Sequence, residues 1–113
     1  MESKTIELPD GKNVIIWKMN YGFKTDLQGY VSKTDGEAIS LDMGKMQIYT
    51  AVFGIYSSDD LGIQPPKDLE MGLSTEEINN RLKKIRGLVA GGDLLYKEIN
   101  KLNKEVSDEI LKK

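Results

Sequence analysis

The 113-residue chain contains no cysteine and no histidine. That removes the thiolate nucleophile, the imidazole base and the usual zinc ligands together. Carboxylates, lysines and glycines are what remain to do chemistry. Asp59 and Asp60, with Asp68 and Glu70 beyond them, have the oxygen ligands a hard cation takes. Their spacing is not the Asp-x-Asp-x-Asp-Gly pattern of a calcium loop, so a solvated loop is the better reading and no metal is expected. Gly87-Leu88-Val89-Ala90-Gly91-Gly92-Asp93 has the outline of a phosphate-cradling loop. It lacks the Lys-Ser/Thr that should follow and the strand that should precede it. No Gly-x-Ser-x-Gly nucleophile turn occurs either. No catalytic residue and no cofactor are expected, and the chain reads as a non-enzyme.

Lys97, Lys101 and Lys104 are a different matter, because two short helices joined by a glycine turn outline a helix-turn-helix. Glu98, Glu105, Asp108 and Glu109 interleave with these lysines at helical spacing, which suits pairing along a helix surface better than contact with phosphate. The start of the second helix holds Asp93-Leu94-Leu95-Tyr96, where a base-reading Arg, Asn or Gln belongs. A small DNA-binding regulator is therefore the alternative function, and nucleic acid is not the expected partner. Net charge agrees, at −2 overall. Residues 1–73 carry 7 Lys/Arg and 11 Asp/Glu, and residues 74–113 carry 9 and 7, a mild asymmetry of solvated faces.

The elements that must position these residues make one domain over 1–113, of α+β class, with an N-terminal β-hairpin at 3–19. Thr5-Ile6-Glu7-Leu8 alternates polar and apolar, Pro9-Asp10-Gly11 is turn chemistry, and Val14-Ile15-Ile16-Trp17 is a strand apolar on both faces. A first helix is expected at about 21–33, capped by Asn20, with Phe23, Leu27, Tyr30 and Val31 on one side. Gly29 weakens it by about 1 kcal/mol relative to alanine. Thr34-Asp35-Gly36 marks a turn. Asp42 caps a second helix at about 42–57, whose inner stripe is Met46, Tyr49, Val52, Phe53 and Tyr56. Residues 58–73, with Gly62 and Pro65-Pro66, read as a surface loop.

Ser74 with Glu77 is a capping box for a third helix at about 75–89. Its stripe is Ile78, Leu82 and Ile85, with Arg81, Lys83, Lys84 and Arg86 placed around it. Gly91-Gly92 ends that helix and Asp93 caps a last one at about 93–111. The last stripe is Leu95, Ile99, Leu102, Val106 and Ile110. Together these helices form a C-terminal helical hairpin. The last stripe is either core or a surface for another chain; a chain this small has limited core for four helices and a hairpin. Leu95, Ile99, Leu102 and Val106 are the candidate partner-binding residues. No stretch is long and apolar enough to span a bilayer, the N-terminus has no apolar signal-type run, and the cytoplasm is the expected compartment.

Thr5-Ile6-Glu7-Leu8-Pro9-Asp10-Gly11-Lys12-Asn13-Val14, then a helix opened near Asn20-Tyr21-Gly22, resembles the start of the tail assembly chaperones of long-tailed phages. The aspartate-opened closing helix, Asp93-Leu94-Leu95-Tyr96-Lys97-Glu98-Ile99-Asn100-Lys101-Leu102-Asn103, resembles their end. That resemblance implies a viral or prophage assembly factor working in the host cell cytoplasm. It would bind the tape-measure protein, recruit tail-tube subunits and form homo-oligomers. It also implies absence from the finished virion and, in many members, a longer frameshifted product. A virion head or tail completion protein is a second alternative.

Overall fold

A computed structural model describes residues 1–35 and 38–104. The predicted helix beyond residue 104, with Val106, Ile110 and its acidic residues, lies outside the described residues. The architecture is mixed α+β with an N-terminal antiparallel hairpin, β1 (Ser3–Glu7) and β2 (Asn13–Trp17). Gly11 closes the turn at φ 89°, a left-handed backbone angle that suits glycine. The Leu8 amide donates to the Lys12 carbonyl at 2.8 Å. A third strand, β5 (Ile55–Ser57), pairs antiparallel on the other side of β2, giving the order β1-β2-β5.

Helix α1 (Tyr21–Val31) opens on Asn20, whose side chain accepts from the Phe23 amide at 2.9 Å. Helix α2 (Met43–Gly54) opens on Asp42, which accepts from the Lys45 amide at 3.0 Å. Between them lies a second antiparallel pair, β3 (Ser32–Asp35) and β4 (Ala38–Leu41). The sequence showed only the turn there. Helix α3 (Thr75–Arg86) carries the full capping box of Ser74 and Glu77. Helix α4 (Gly92–Leu102) closes the described fold.

The core lies between the sheet and α2, which packs against α1, α3 and α4. Val14 and Ile16 are fully buried, and Trp17 is nearly so. The Trp17 ring meets Phe23 edge-on at 4.9 Å and its Nε1–H donates to the Phe53 carbonyl at 3.0 Å. Ile15 stays half-buried, so the second face of β2 is covered mainly at its Trp17 end. Phe23, Val31, Val52 and Phe53 are buried as their spacing implied, while Tyr30 is 40% exposed and stacks on Tyr49.

Several expected boundaries shift: the first helix ends at Val31 rather than about 33, and the last ends at Leu102 with Asn103 as its C-cap, short of the expected 111. The second helix stops at Gly54 rather than about 57, because Ile55-Tyr56-Ser57 leaves it to pair with β2. Within the expected surface loop, Ser58 and Ile63 exchange backbone hydrogen bonds in a tight turn through Gly62, and Leu61 and Ile63 are buried. The third helix ends at Arg86 with Gly87 as its C-cap, three residues short of the expected 89.

Arg81, read with Lys83, Lys84 and Arg86 as lying around the apolar stripe of α3, belongs to the core itself. It is 2% exposed. Its guanidinium donates to the carbonyls of Val52 at 2.8 Å, Tyr56 at 2.9 Å and Gln64 at 2.9 Å, and also to that of Ile55. Carbonyls at a helix C-terminus lack partners within the helix, and the guanidinium fork fills that need at the end of α2.

Candidate functional site

The glycine turn between α3 and α4 is built from residues with separate duties. Gly87 caps α3, and Leu88-Val89-Ala90 crosses to Gly91. Gly91 sits at φ 96°, and a Cβ there would stand 2.9 Å from Leu8 Cδ2 and 3.1 Å from Pro9 Cδ. Only glycine meets both demands, the left-handed angle and the close approach of the β1–β2 turn. Gly92 is already helical, and a Cβ there meets nothing within 4 Å. Gly91, not Asp93, is therefore the N-cap of α4. Asp93 lies inside the first turn, where its charge suits the helix dipole. The outline of a phosphate loop does not survive, since the segment follows a helix and not a strand.

Beside this turn runs an open groove of ≈ 340 Å³. It is lined by Ile48 and Ala51 of α2, by Ile85 in the last turn of α3 and by Leu88 just beyond it. Leu95 lies at its floor, fully buried, and Asp93 and Gly92 sit at the α4 end. Val89 stands on the rim, 95% exposed. Met43, one turn before Gln47 on α2, is 61% exposed. A large aliphatic side chain held almost wholly in water at the mouth of a partly apolar groove is the unusual feature, since single half-exposed apolar residues are ordinary.

Of the four residues expected to form a partner surface, Leu95 and Ile99 face inward. Leu95 and Ile99 are 0% exposed and belong to the core, because α4 lies against α2 where Gly54 offers no side chain. An added Cβ on Gly54 would stand 2.4 Å from Ile99 Cγ2. Leu102 is half-buried on the same core. Val106 lies outside the described residues. Asn103 fixes the far end of α4: its side chain accepts from the Met19 amide at 2.7 Å and donates to the Trp17 carbonyl at 3.0 Å.

Ile48, Leu88 and Val89, which line the groove, were not among the expected site residues. Leu88 and Val89 read as the last turn of a helix stripe, and only the early stop at Gly87 turns them into a groove wall and rim. The Asp60 carboxylate accepts from the Asn13 amide at 2.7 Å, and among the described residues no three acidic side chains gather to hold a metal. Glu98 pairs at 3.3 Å with Lys4 of β1, a partner across the fold and not one of the lysines interleaved with it on α4. A further apolar patch lies at the start of α1. Tyr21 is 85% exposed and Met71 83%, and the Asn20 side chain donates to the Leu69 carbonyl at 2.9 Å, bringing the two segments together. None of the described helices is long and apolar enough to cross a membrane.

No protein-family model, curated protein or solved structure matches this chain.

Proposed function

We propose that the chain is a non-enzymatic assembly factor that holds an amphipathic helix of a partner protein in the groove at the glycine turn. Its finer form is the one the sequence resembles, a tail assembly chaperone that keeps a tape-measure protein soluble and recruits tail-tube subunits. The observation that carries the reading is the groove itself, with Ile48, Ala51 and Leu88 inside and Val89 in water at the rim. Grooves of this kind accept helices through aliphatic anchors spaced three and four residues apart. Covering Val89 contributes roughly 1.5–3 kcal/mol of hydrophobic free energy, before the cost of ordering the complex.

The test is titration of a soluble helical fragment of a tape-measure protein onto the chain, with Val89→Asp alongside. The substitution lies on an exposed side chain and leaves the core untouched. The expected result is binding that weakens at least about tenfold in Val89→Asp, or about 1.4 kcal/mol, with an unchanged thermal melt. Equal binding by the variant sinks the groove, and no binding by the native chain sinks the chaperone. Salt-sensitive binding to duplex DNA by the native chain would put the helix-turn-helix regulator in its place.

A further inference from the structure

Strand β1 is one of the two outer strands of the three-stranded sheet. The phase of its pairing decides which backbone groups are already used. The Lys18 amide donates to the Glu2 carbonyl, and the Leu8 amide to the Lys12 carbonyl. In an antiparallel ladder the bonded positions alternate, so Lys4 and Ile6 exchange bonds with Ile16 and Val14. Ser3, Thr5 and Glu7 turn their N–H and C=O groups the other way. No group among the described residues bonds to that outer row, and the side chains of all three are exposed.

Sheet edges are ordinarily blunted by proline, by a bulge, by a free lysine or by a covering element. Ser3 to Glu7 holds no proline, and its register with β2 runs unbroken from Ser3↔Trp17 to Glu7↔Asn13. The irregularity in the sheet falls on the other side of β2, between Ile15 and Ile16. The one lysine, Lys4, sends its ammonium to Glu98 of α4 at 3.3 Å and so draws it away from the edge. Ile6, on the same side of the strand as Lys4, is buried.

We propose that a second copy of this chain covers the edge, the two β1 strands pairing antiparallel across a twofold axis at Thr5. The sequence of the strand selects this occupant and register. With Thr5 opposite Thr5 of the copy, Ser3 faces its Glu7, and every outward N–H and C=O of both strands finds a partner. Threonine pairs are favourable across strands, and the aliphatic stem of Lys4 lies over Ile6 of the copy. Sliding two residues one way sets Lys4 directly against Lys4, a like-charge pair. Sliding two the other way sets Ser3 against Pro9, which has no N–H. The contact is isologous, as closed dimers require, and it joins two sheets into one. It shares no residue with the groove at the glycine turn, so either surface can fail without the other.

The dimer rests on one short strand from each copy, so it is weak and depends on concentration. Sedimentation equilibrium over roughly a hundredfold concentration range should show the mass rising from one chain toward two, while amide exchange at Ser3, Thr5 and Glu7 slows by about tenfold and that at Lys4 and Ile6 does not change. Thr5→Pro removes only the outward N–H, which an edge strand tolerates. Thr5→Glu leaves the backbone alone and puts like charges together on the axis. Both should stay monomeric, and Thr5→Glu decides the matter if the proline variant does not fold. A native chain that is monomeric throughout overturns the proposal. So does a Thr5→Glu variant that dimerises as tightly as the native chain, or slowed exchange confined to another surface. Slowed exchange at the three odd positions only on adding an extended peptide would assign the edge to that partner and not to a copy.

Discussion

Arg81 is a cation in the core whose company is carbonyl oxygen rather than carboxylate. Burial pushes its guanidinium down to about 10, Glu77 pushes it partly back up, and it stays charged at neutral pH. Replacing it with methionine keeps the volume but leaves the carbonyls of Val52, Ile55, Tyr56 and Gln64 without their donor. Arg81→Met should lower unfolding free energy by about 3–5 kcal/mol, and Arg81→Lys by about 2, because an ammonium cannot fork. Urea denaturation measures both, and a loss below about 1 kcal/mol would show that water takes over the acceptors. Glu77 sets a pH dependence at the other end of the same helix. Burial raises its carboxyl, but the Ser74 amide, the Lys67 amide, the Ser74 hydroxyl and the charge of Arg81 outweigh it and leave it below the ordinary value of 4.5. A carboxyl held low in the folded state adds stability that is complete above its unfolded value and is lost as pH falls through its folded one. Thermal melts should therefore drop as pH falls below about 4.5, and the drop should be shallower in Glu77→Gln. Parallel curves for the two proteins would count against the cap.

At the scale of elements, two glycines in helices make opposite predictions. Gly54 ends α2 against Ile99, so Gly54→Ala forces α2 and α4 apart and should cost about 1–3 kcal/mol. Gly29 in α1 has nothing within 4 Å of an added Cβ, so Gly29→Ala should stabilise by up to about 1 kcal/mol. Differential scanning calorimetry on the pair checks both signs, and Gly54→Ala at native stability would mean the helix contact yields freely. The caps at Asn20, Asp42 and Ser74 were legible because capping is a contact over three residues, visible in the string itself. Strand β5 was not, since its partner β2 lies far back in the chain, and of β3 and β4 only the connecting turn was legible. Asp93 was mistaken for a cap because the sequence does not show that Leu8 and Pro9 press on Gly91 and confine that position to glycine.

At the scale of the whole molecule, the hairpin and helices of an α+β domain were legible, but which faces meet was not. The stripe of α4 is the clearest instance. Its Leu95, Ile99 and Leu102 pattern suits a core and an interface equally, and the choice depends on a seat that α2 supplies at Gly54. Arg81 shows the reverse case. It stands three residues after Ile78 and four before Ile85, on the buried side of α3, yet it was grouped with Lys83, Lys84 and Arg86 around the stripe and not within it. The groove at the glycine turn exists only because α3 stops at Gly87 and leaves Leu88 and Val89 beside α2.

The clamp around Arg81 has a consequence for how this sequence can drift. Its acceptors are main-chain carbonyls, which any residue type supplies. Gln64 can change its side chain without cancelling its part in the clamp, and Tyr56 is constrained only by its own packing. Arg81 has no such freedom. Divergence can rewrite the letters around the clamp while the arginine stays fixed, so that its ancestry is held by one position and a backbone shape.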